Sequence, residues 1–254
     1  MKLSVLGCSG GIGGDARRTT SFLIDDDILL DCGTGVGDLP LEALARIDHV
    51  FLTHAHFDHV AFLPLLADSV SELRRAPIMV HGLAGTLDAL RAHVFNGTMW
   101  PDFTVLPKHA PALSLRPVEV GACIDVGGRR LTALPAFHSV PALAWCLDSG
   151  DGRLVFSGDT RFDYGFVAAL NALGPVNHLL VETAFADEQA QLARDSSHLC
   201  PQSLRRLLDA VEGNPQVHLS HLKPGLESRI ARQIDLGMGR LRPTVLQRGD
   251  VLEF

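Results

Sequence analysis

The sequence predicts an α+β protein with a sizeable core, and three features carry that reading. Short apolar runs recur between Gly, Asp and Pro combinations that favour turns, the mark of short strands. Between them lie segments whose apolar residues repeat at three and four positions, the period of one helix face. The order, strands first and helices after, comes twice over, once in each half of the chain. An apolar share of 46% with 20% charged residues is enough for one buried core. No Pro-, Ser- or Gly-rich linker and no charge run divides the 254 residues, so a single domain over 1–254 is expected. A net charge of −7 argues against a protein that coats nucleic acid without sequence preference. An anionic substrate would need a local cationic focus such as bound metal.

Residues 3–6 read as a first strand, stopped by Gly7-Cys8-Ser9-Gly10-Gly11-Ile12-Gly13-Gly14. The dinucleotide spacing G-x-G-x-x-G is absent, so this stretch is no nucleotide fingerprint. It is either a plain connection or a loop whose bare backbone comes close to a ligand or another loop. Arg17 and Arg18 follow and read as solvated, with a phosphate as the alternative partner. Residues 21–24 and 28–30 form a hairpin turning through Asp25-Asp26-Asp27, and its second strand runs into Asp31-Cys32-Gly33. Residues 49–53 are a strand. Residues 60–73 keep helical spacing, with Pro64 near the start, where a first turn tolerates it. A short strand over 78–80 precedes a helix over 84–95 that aligns Leu83, Leu87, Leu90 and Val94. His81 and His93 lie in these elements without spaced partners and read as structural.

In the second half, strands are expected over 118–120, 123–126, 131–134 and 142–147, with turns at Gly127-Gly128 and Ser149-Gly150. A strand over 152–156 leads to Ser157-Gly158-Asp159-Thr160, and a helix spans 166–173. A strand over 177–181 carries Glu182 just past its end. Helices follow over 187–194, 201–211 and 226–234, the second with Leu204, Leu207, Leu208 and Val211 inward. The strand beginning at Val217 lies between the last two, and a closing strand covers 244–246.

The chemistry is concentrated in Thr53-His54-Ala55-His56-Phe57-Asp58-His59. Three imidazoles and a carboxylate within six positions would each need a partner to stay buried. A metal ion partners them all. The strand ending at Thr53 would aim His54 and His56 one way, and Asp58 and His59 another at the start of the next helix.

With His138 in His138-Ser139-Val140-Pro141-Ala142, Asp159 in Ser157-Gly158-Asp159-Thr160 and His221 in His221-Leu222-Lys223-Pro224, this H-x-H-x-D-H resembles the metallo-β-lactamase superfamily. The resemblance implies a four-layer αββα sandwich with a dinuclear metal site at one edge, between two sheets. It implies His54, His56 and His138 for one ion, Asp58, His59 and His221 for the other, and Asp159 for both. His218 is the alternative to His221, since it shares a strand face with Ser220 while His221 comes at the strand end. Asp31 matches a D-x-G segment and would orient ligand groups from behind; otherwise it caps a strand end. Imidazole and carboxylate without thiolate suit two zinc ions, with manganese or iron as alternatives.

Two further stretches are similar to class II cyclic-nucleotide phosphodiesterases. One runs through His93-Val94-Phe95-Asn96 to Trp100-Pro101-Asp102-Phe103; the other is the H-S-V-P-A segment, shared with tRNA 3′-processing endonucleases. In phosphodiester-cleaving members an acid and a histidine stand where this chain has Glu182 and His198. The resemblance makes His198 the group that meets the leaving oxygen and Glu182 its orienter. Read without it, His198 is a loop histidine before a helix. Trp100 and Phe103 either stack on a base or bury their insert against the domain. Phe57 departs from the leucine usual in that subfamily.

The function expected is therefore hydrolysis of a 3′,5′-cyclic nucleotide to the 5′-nucleotide, with Asp58, His198 and Glu182 as catalytic residues and Trp100 and Phe103 as substrate contacts. A tRNA 3′-endonuclease is the alternative, weakened by the acidic charge and by the lack of a basic, glycine-rich arm. Lactone, thioester or β-lactam hydrolysis would leave Glu182 and His198 idle. A metal-binding scaffold without catalysis would waste the full ligand set. The expected partner is a small anionic phosphodiester, with no membrane and no stable nucleic-acid partner; a homodimer is allowed. Five scattered cysteines without C-x-x-C, no signal-peptide core and no apolar run of about 20 residues lead to a cytoplasmic expectation.

Overall fold

A computed structural model of the chain describes residues 1–14 and 17–254. Its strands are β1 (Lys2–Gly7), β2 (Ser21–Ile24), β3 (Ile28–Leu30), β4 (His49–Phe51), β5 (Ile78–Gly82), β6 (Leu113–Pro117), β7 (Cys123–Val126), β8 (Arg129–Pro135), β9 (Leu143–Asp148), β10 (Arg153–Phe156), β11 (His178–Glu182), β12 (Gln216–Ser220), β13 (Thr244–Val245) and β14 (Val251–Glu253). They build two seven-stranded sheets, ordered β14-β1-β2-β3-β4-β5-β6 and β13-β12-β11-β10-β9-β8-β7. Each sheet is antiparallel on one side of its central strand, β3 or β10, and parallel on the other.

The helices are α1 (Leu41–Leu44), α2 (Phe57–Val60), α3 (Leu63–Val70), α4 (Ala84–His93), α5 (Tyr164–Ala172), α6 (Ala190–Asp195), α7 (Pro201–Ala210) and α8 (Glu227–Gly237). Parallel strands must be covered on both faces, which is why β3 reads Ile28-Leu29-Leu30 without a polar break. Phe22, Phe51, Trp145 and Phe156 fill the space between the sheets. Leu63, Leu66, Val70, Leu87 and Leu90 of α3 and α4 cover the outside of the first sheet. Phe166, Leu204, Leu207 and Ile230 of α5, α7 and α8 cover the second. The layers are thus helix, sheet, sheet, helix, the αββα sandwich.

Several expected boundaries shift for identifiable reasons. The helix expected over 60–73 is interrupted between α2 and α3, because Phe62 N donates to Cys32 O and Cys32 N donates to His59 O. Those two bonds tie the end of β3 to the ligand loop. Residues 118–120 form no strand; the strand before β7 is β6, whose Leu-Ser-Leu alternation marks a sheet edge. Glu182 is the last residue of β11, paired with Ser220, and not past its end. Strand β14 was not expected, since its short, half-exposed sequence carries no pattern and pairs with β1 across almost the whole chain. The five cysteines are free thiols. No helix among the described residues is long and apolar enough to cross a membrane.

Candidate metal centre

The cluster forms where the parallel strands end. His54 follows β4, Asp159 follows β10, Glu182 closes β11 and His221 follows β12. Carboxyl ends of neighbouring parallel strands fall at one edge, so residues distant in sequence arrive together. Two bonds from the opposite sheet hold the first of these ends: Trp145 Nε1 donates to Leu52 O at 3.1 Å, and Leu143 N donates to Thr53 O at 2.9 Å.

One oxygen sits at the centre. Asp159 Oδ2 lies 3.2 Å from His221 Nε2, 3.4 Å from His59 Nε2, 3.7 Å from His54 Nε2 and 3.9 Å from His138 Nε2. His138 Nε2 is 3.1 Å from His56 Nδ1, and His221 Nε2 is 3.2 Å from Asp58 Oδ2. The ligand atoms of His54, His56, His138 and Asp159 all lie within 4.8 Å of one another, as do those of Asp58, His59 and His221. Two ligands of one tetrahedral ion, each about 2.0–2.2 Å from it, stand roughly 3–3.5 Å apart. The spacings observed are of that kind.

The donors fit a cation in chemistry as well as spacing. His54 Nε2 and His59 Nε2 are buried and have no hydrogen-bond partner, a costly state unless something accepts their lone pairs. Burial holds the pKa of His54 well below the ordinary histidine value, and burial with the neighbouring imidazoles also lowers His56 and His138. Neutral imidazoles offer the lone pair that a metal needs. Burial works against charge on Asp159, but His221 and His59 hold its pKa well below the carboxylate range; His221 and His59 do the same for Asp58. His59 is the exception among the shifted imidazoles of these two ligand sets: burial opposes its charge, but Asp159 and Asp31 hold its pKa well above the ordinary histidine value, so a cation bound there would displace a proton.

A second layer fixes the rings. Asp31, fully buried, accepts from Thr53 N at 2.7 Å and Thr53 Oγ1 at 2.8 Å, and its Oδ2 lies 2.7 Å from His59 Nδ1. That contact keeps His59 Nδ1 occupied and turns Nε2 to the centre. His138 Nδ1 is likewise 3.0 Å from Ser197 O. Among the described residues four non-glycines have positive φ: Asp25, Asp31, Ser197 and His221. Three of these four serve the cluster, the pattern of backbone strain collected at a functional site. Gly10 reaches it too, since a Cβ there would stand 2.5 Å from His221 O. The glycine stretch is therefore the close-approach loop of its two readings.

Glu182 and His198 form a separate pair at the same edge. Glu182 Oε1 is 2.8 Å from His198 Nδ1 and accepts from Thr160 N; Oε2 accepts from Ala184 N and Leu199 N. Burial lowers the pKa of His198, but Glu182 outweighs it and the net shift is upward. Phe185 packs edge-on against the His198 ring at 5.7 Å. The ligand atoms of Asp159, His198 and His221 also lie within 4.8 Å of one another.

Not every expected residue joins the cluster. Phe103 is buried in the core outside the first sheet and offers no free face for stacking, while Trp100, half-buried, packs against the same cluster. The insert carries its own apolar burden, and its rings cover α4 and β6. His218 pairs with His178 at 3.1 Å and with Thr244, away from the cluster. His81 pairs with His49 at 3.1 Å, and His93 is exposed. Arg17 and Arg18 bond Glu227 and Asp38. Thr53 and Ser197 escaped sequence reading; only the place of Thr53 beside the H-x-H motif hinted at a role.

The family model described as "Beta-lactamase superfamily domain" matches residues 26–222. Ribonuclease Z of Bradyrhizobium diazoefficiens is 32% identical, over 78% of this chain and 81% of its own length. The ribonuclease BN of Cronobacter sakazakii is 26% identical, over 59% of this chain and 50% of its own length. Among solved structures, unliganded yeast PDE1 superposes with a TM-score of 0.81 at 17% identity, covering 100% of this chain and 99% of its own. The metallo-β-lactamase fold protein YhfI from Bacillus subtilis gives 0.78 at 20% identity, covering 99% and 98%.

Proposed function

The chain belongs to the metallo-β-lactamase superfamily and is a hydrolase of it, and from that premise we propose a two-metal phosphodiesterase that opens 3′,5′-cyclic nucleotides to 5′-nucleotides. The observation that carries this reading is the Glu182–His198 pair beside Asp159 and His221. A ligand set alone serves any hydrolysis. A histidine oriented by its own buried carboxylate, at the edge of that set, serves a reaction whose leaving group needs a proton.

His54, His56, His138 and Asp159 would hold one divalent ion, and Asp58, His59, His221 and Asp159 the other, zinc being the ion that this donor set suits best. Two such ions supply a water nucleophile at neutral pH and offset the charge that builds on phosphorus. Asp31 and Ser197 keep the imidazoles of His59 and His138 turned inward while the substrate changes charge. Glu182 holds the Nδ1 side of His198, which leaves Nε2 to deliver a proton to the departing 3′-oxygen. Phe185 fixes the ring from its other side. Asp58 joins His221 at the centre through a 3.2 Å contact.

A second reading, tRNA 3′-end endonuclease, is favoured by the relative named ribonuclease Z. The net charge of −7 weighs against a large polyanion as substrate. Cyclic AMP, cyclic GMP and a precursor tRNA, assayed side by side, decide between them. Turnover of a cyclic nucleotide by the metal-loaded protein, abolished in His56→Ala, is the expected result. Cleavage of the precursor tRNA with both cyclic nucleotides untouched would put the second reading first.

A further inference from the structure

The chain holds twelve phenylalanines, two tryptophans and one tyrosine. Of these rings only two are exposed, Phe57 and Tyr164, each at 69%. Single exposed apolar residues are ordinary. Two exposed rings in a chain whose other rings are buried or half-buried, both on segments next to the metal centre, need a reason.

Phe57 stands between His56 and Asp58 as the first residue of α2. Tyr164 is the first residue of α5, on the segment that leaves Asp159. His56 and His138 meet at 3.1 Å, and each of the two segments adjoins one side of that contact. Phe57 adjoins His56 directly. On the other side, Arg161 N donates to Phe137 O at 2.9 Å, and Gly165 lies so close to the Phe137 ring that a Cβ there would be 2.8 Å from Cζ. The turn bearing Tyr164 is therefore packed against the residue preceding His138. Tyr164 is also braced: Phe162 meets it edge-on at 5.0 Å, and the Arg206 guanidinium covers Phe162 at 4.5 Å. Asp163 caps the helix by accepting from Gly165 N, which fixes the turn.

We propose that Phe57 and Tyr164 are the rings on which the nucleobase of the substrate stacks, a task for which the buried Phe103 has no free face. The proposal rests on the phosphodiesterase reading. Stacking on an aromatic face tolerates any base, because every base has a π-face, so recognition by these rings predicts weak discrimination between adenine and guanine.

The test is binding of AMP and of ribose 5-phosphate to the metal-loaded protein by calorimetry, which does not require turnover. Wild type is expected to prefer AMP. Phe57→Ala and Tyr164→Ala should each reduce the AMP to ribose 5-phosphate affinity ratio about tenfold, while Phe57→Tyr and Tyr164→Phe restore it. Metal content and melting temperature, measured on each variant, separate loss of stacking from loss of the fold. An unchanged ratio in both alanine variants, or no preference for AMP in wild type, overturns the proposal. If the ratio falls as expected but wild type turns over no cyclic nucleotide, the stacking rings stand and the cyclic-substrate reading fails.

Discussion

Asp159 Oδ2 has four imidazole nitrogens between 3.2 and 3.9 Å, and the orientation of those rings is set one residue further out. Asp31 is the clearest case. Its carboxylate is fully buried, sits at positive φ, and joins Thr53 and His59. Such a residue acts on metal through the tilt and tautomer of its neighbour. Asp31→Asn keeps the shape but turns one acceptor into a donor facing His59 Nδ1. Metal affinity should fall about 10–100-fold, measured by competition with a chelator. An unchanged affinity would reduce Asp31 to a strand cap.

At the scale of elements, the loop after β1 closes the site from the side of His221. Gly10 N donates to Leu222 O, His221 N donates to Cys8 O, and Lys223 Nζ donates to Gly10 O. With a Cβ at Gly10 only 2.5 Å from His221 O, backbone would have to move. Gly10→Ala should therefore cost about 1–3 kcal/mol of stability and weaken binding of the ion proposed for Asp58, His59 and His221. Thermal melting with metal stoichiometry reads both effects. Gly237→Ala, at the end of α8 with nothing within 4 Å, is the control that should leave metal content alone.

The whole molecule repeats one plan. Each sheet switches between antiparallel and parallel pairing at its fourth strand, and each parallel half carries a histidine pair at the same register. His49 lies opposite Met79, two residues before His81; His178 lies opposite Gln216, two residues before His218. Nδ1 of the first histidine is 3.1 Å from Nε2 of the second in both pairs. Burial and the partner imidazole push His81 and His218 down to about 4. Their folded pKa lies below the unfolded value of about 6.5, so between those values the unfolded chain binds protons that the folded chain refuses. Stability is lost as pH falls from about 6.5 to about 4, and this contribution then levels off. Each histidine accounts for on the order of 1 kcal/mol after solvent screening. A His81→Gln, His218→Gln double variant should show a smaller drop in urea midpoint between pH 7 and pH 5 than wild type. An equal drop would assign the acid sensitivity to the metal ligands.

Local chemistry made the centre readable in the chain. A carboxylate and three imidazoles crowded behind an apolar strand have few uses other than metal, and His138, Asp159 and His221 each sit in a short distinctive segment. Helix faces and most strands were legible because period 3.6 and period 2 are written into neighbouring residues. What depends on distant partners was not. The pairing of β14 with β1, the break between α2 and α3 made by Cys32, and the supports Thr53 and Ser197 leave no local pattern. The aromatic residues show the division most plainly. Sequence composition singled out Trp100 and Phe103 because rings are scarce, but whether a ring faces a core or a cleft is a property of burial. The exposure of Phe57 and Tyr164, and the meeting of His56 with His138 near them, exist only once both sheets have closed on each other.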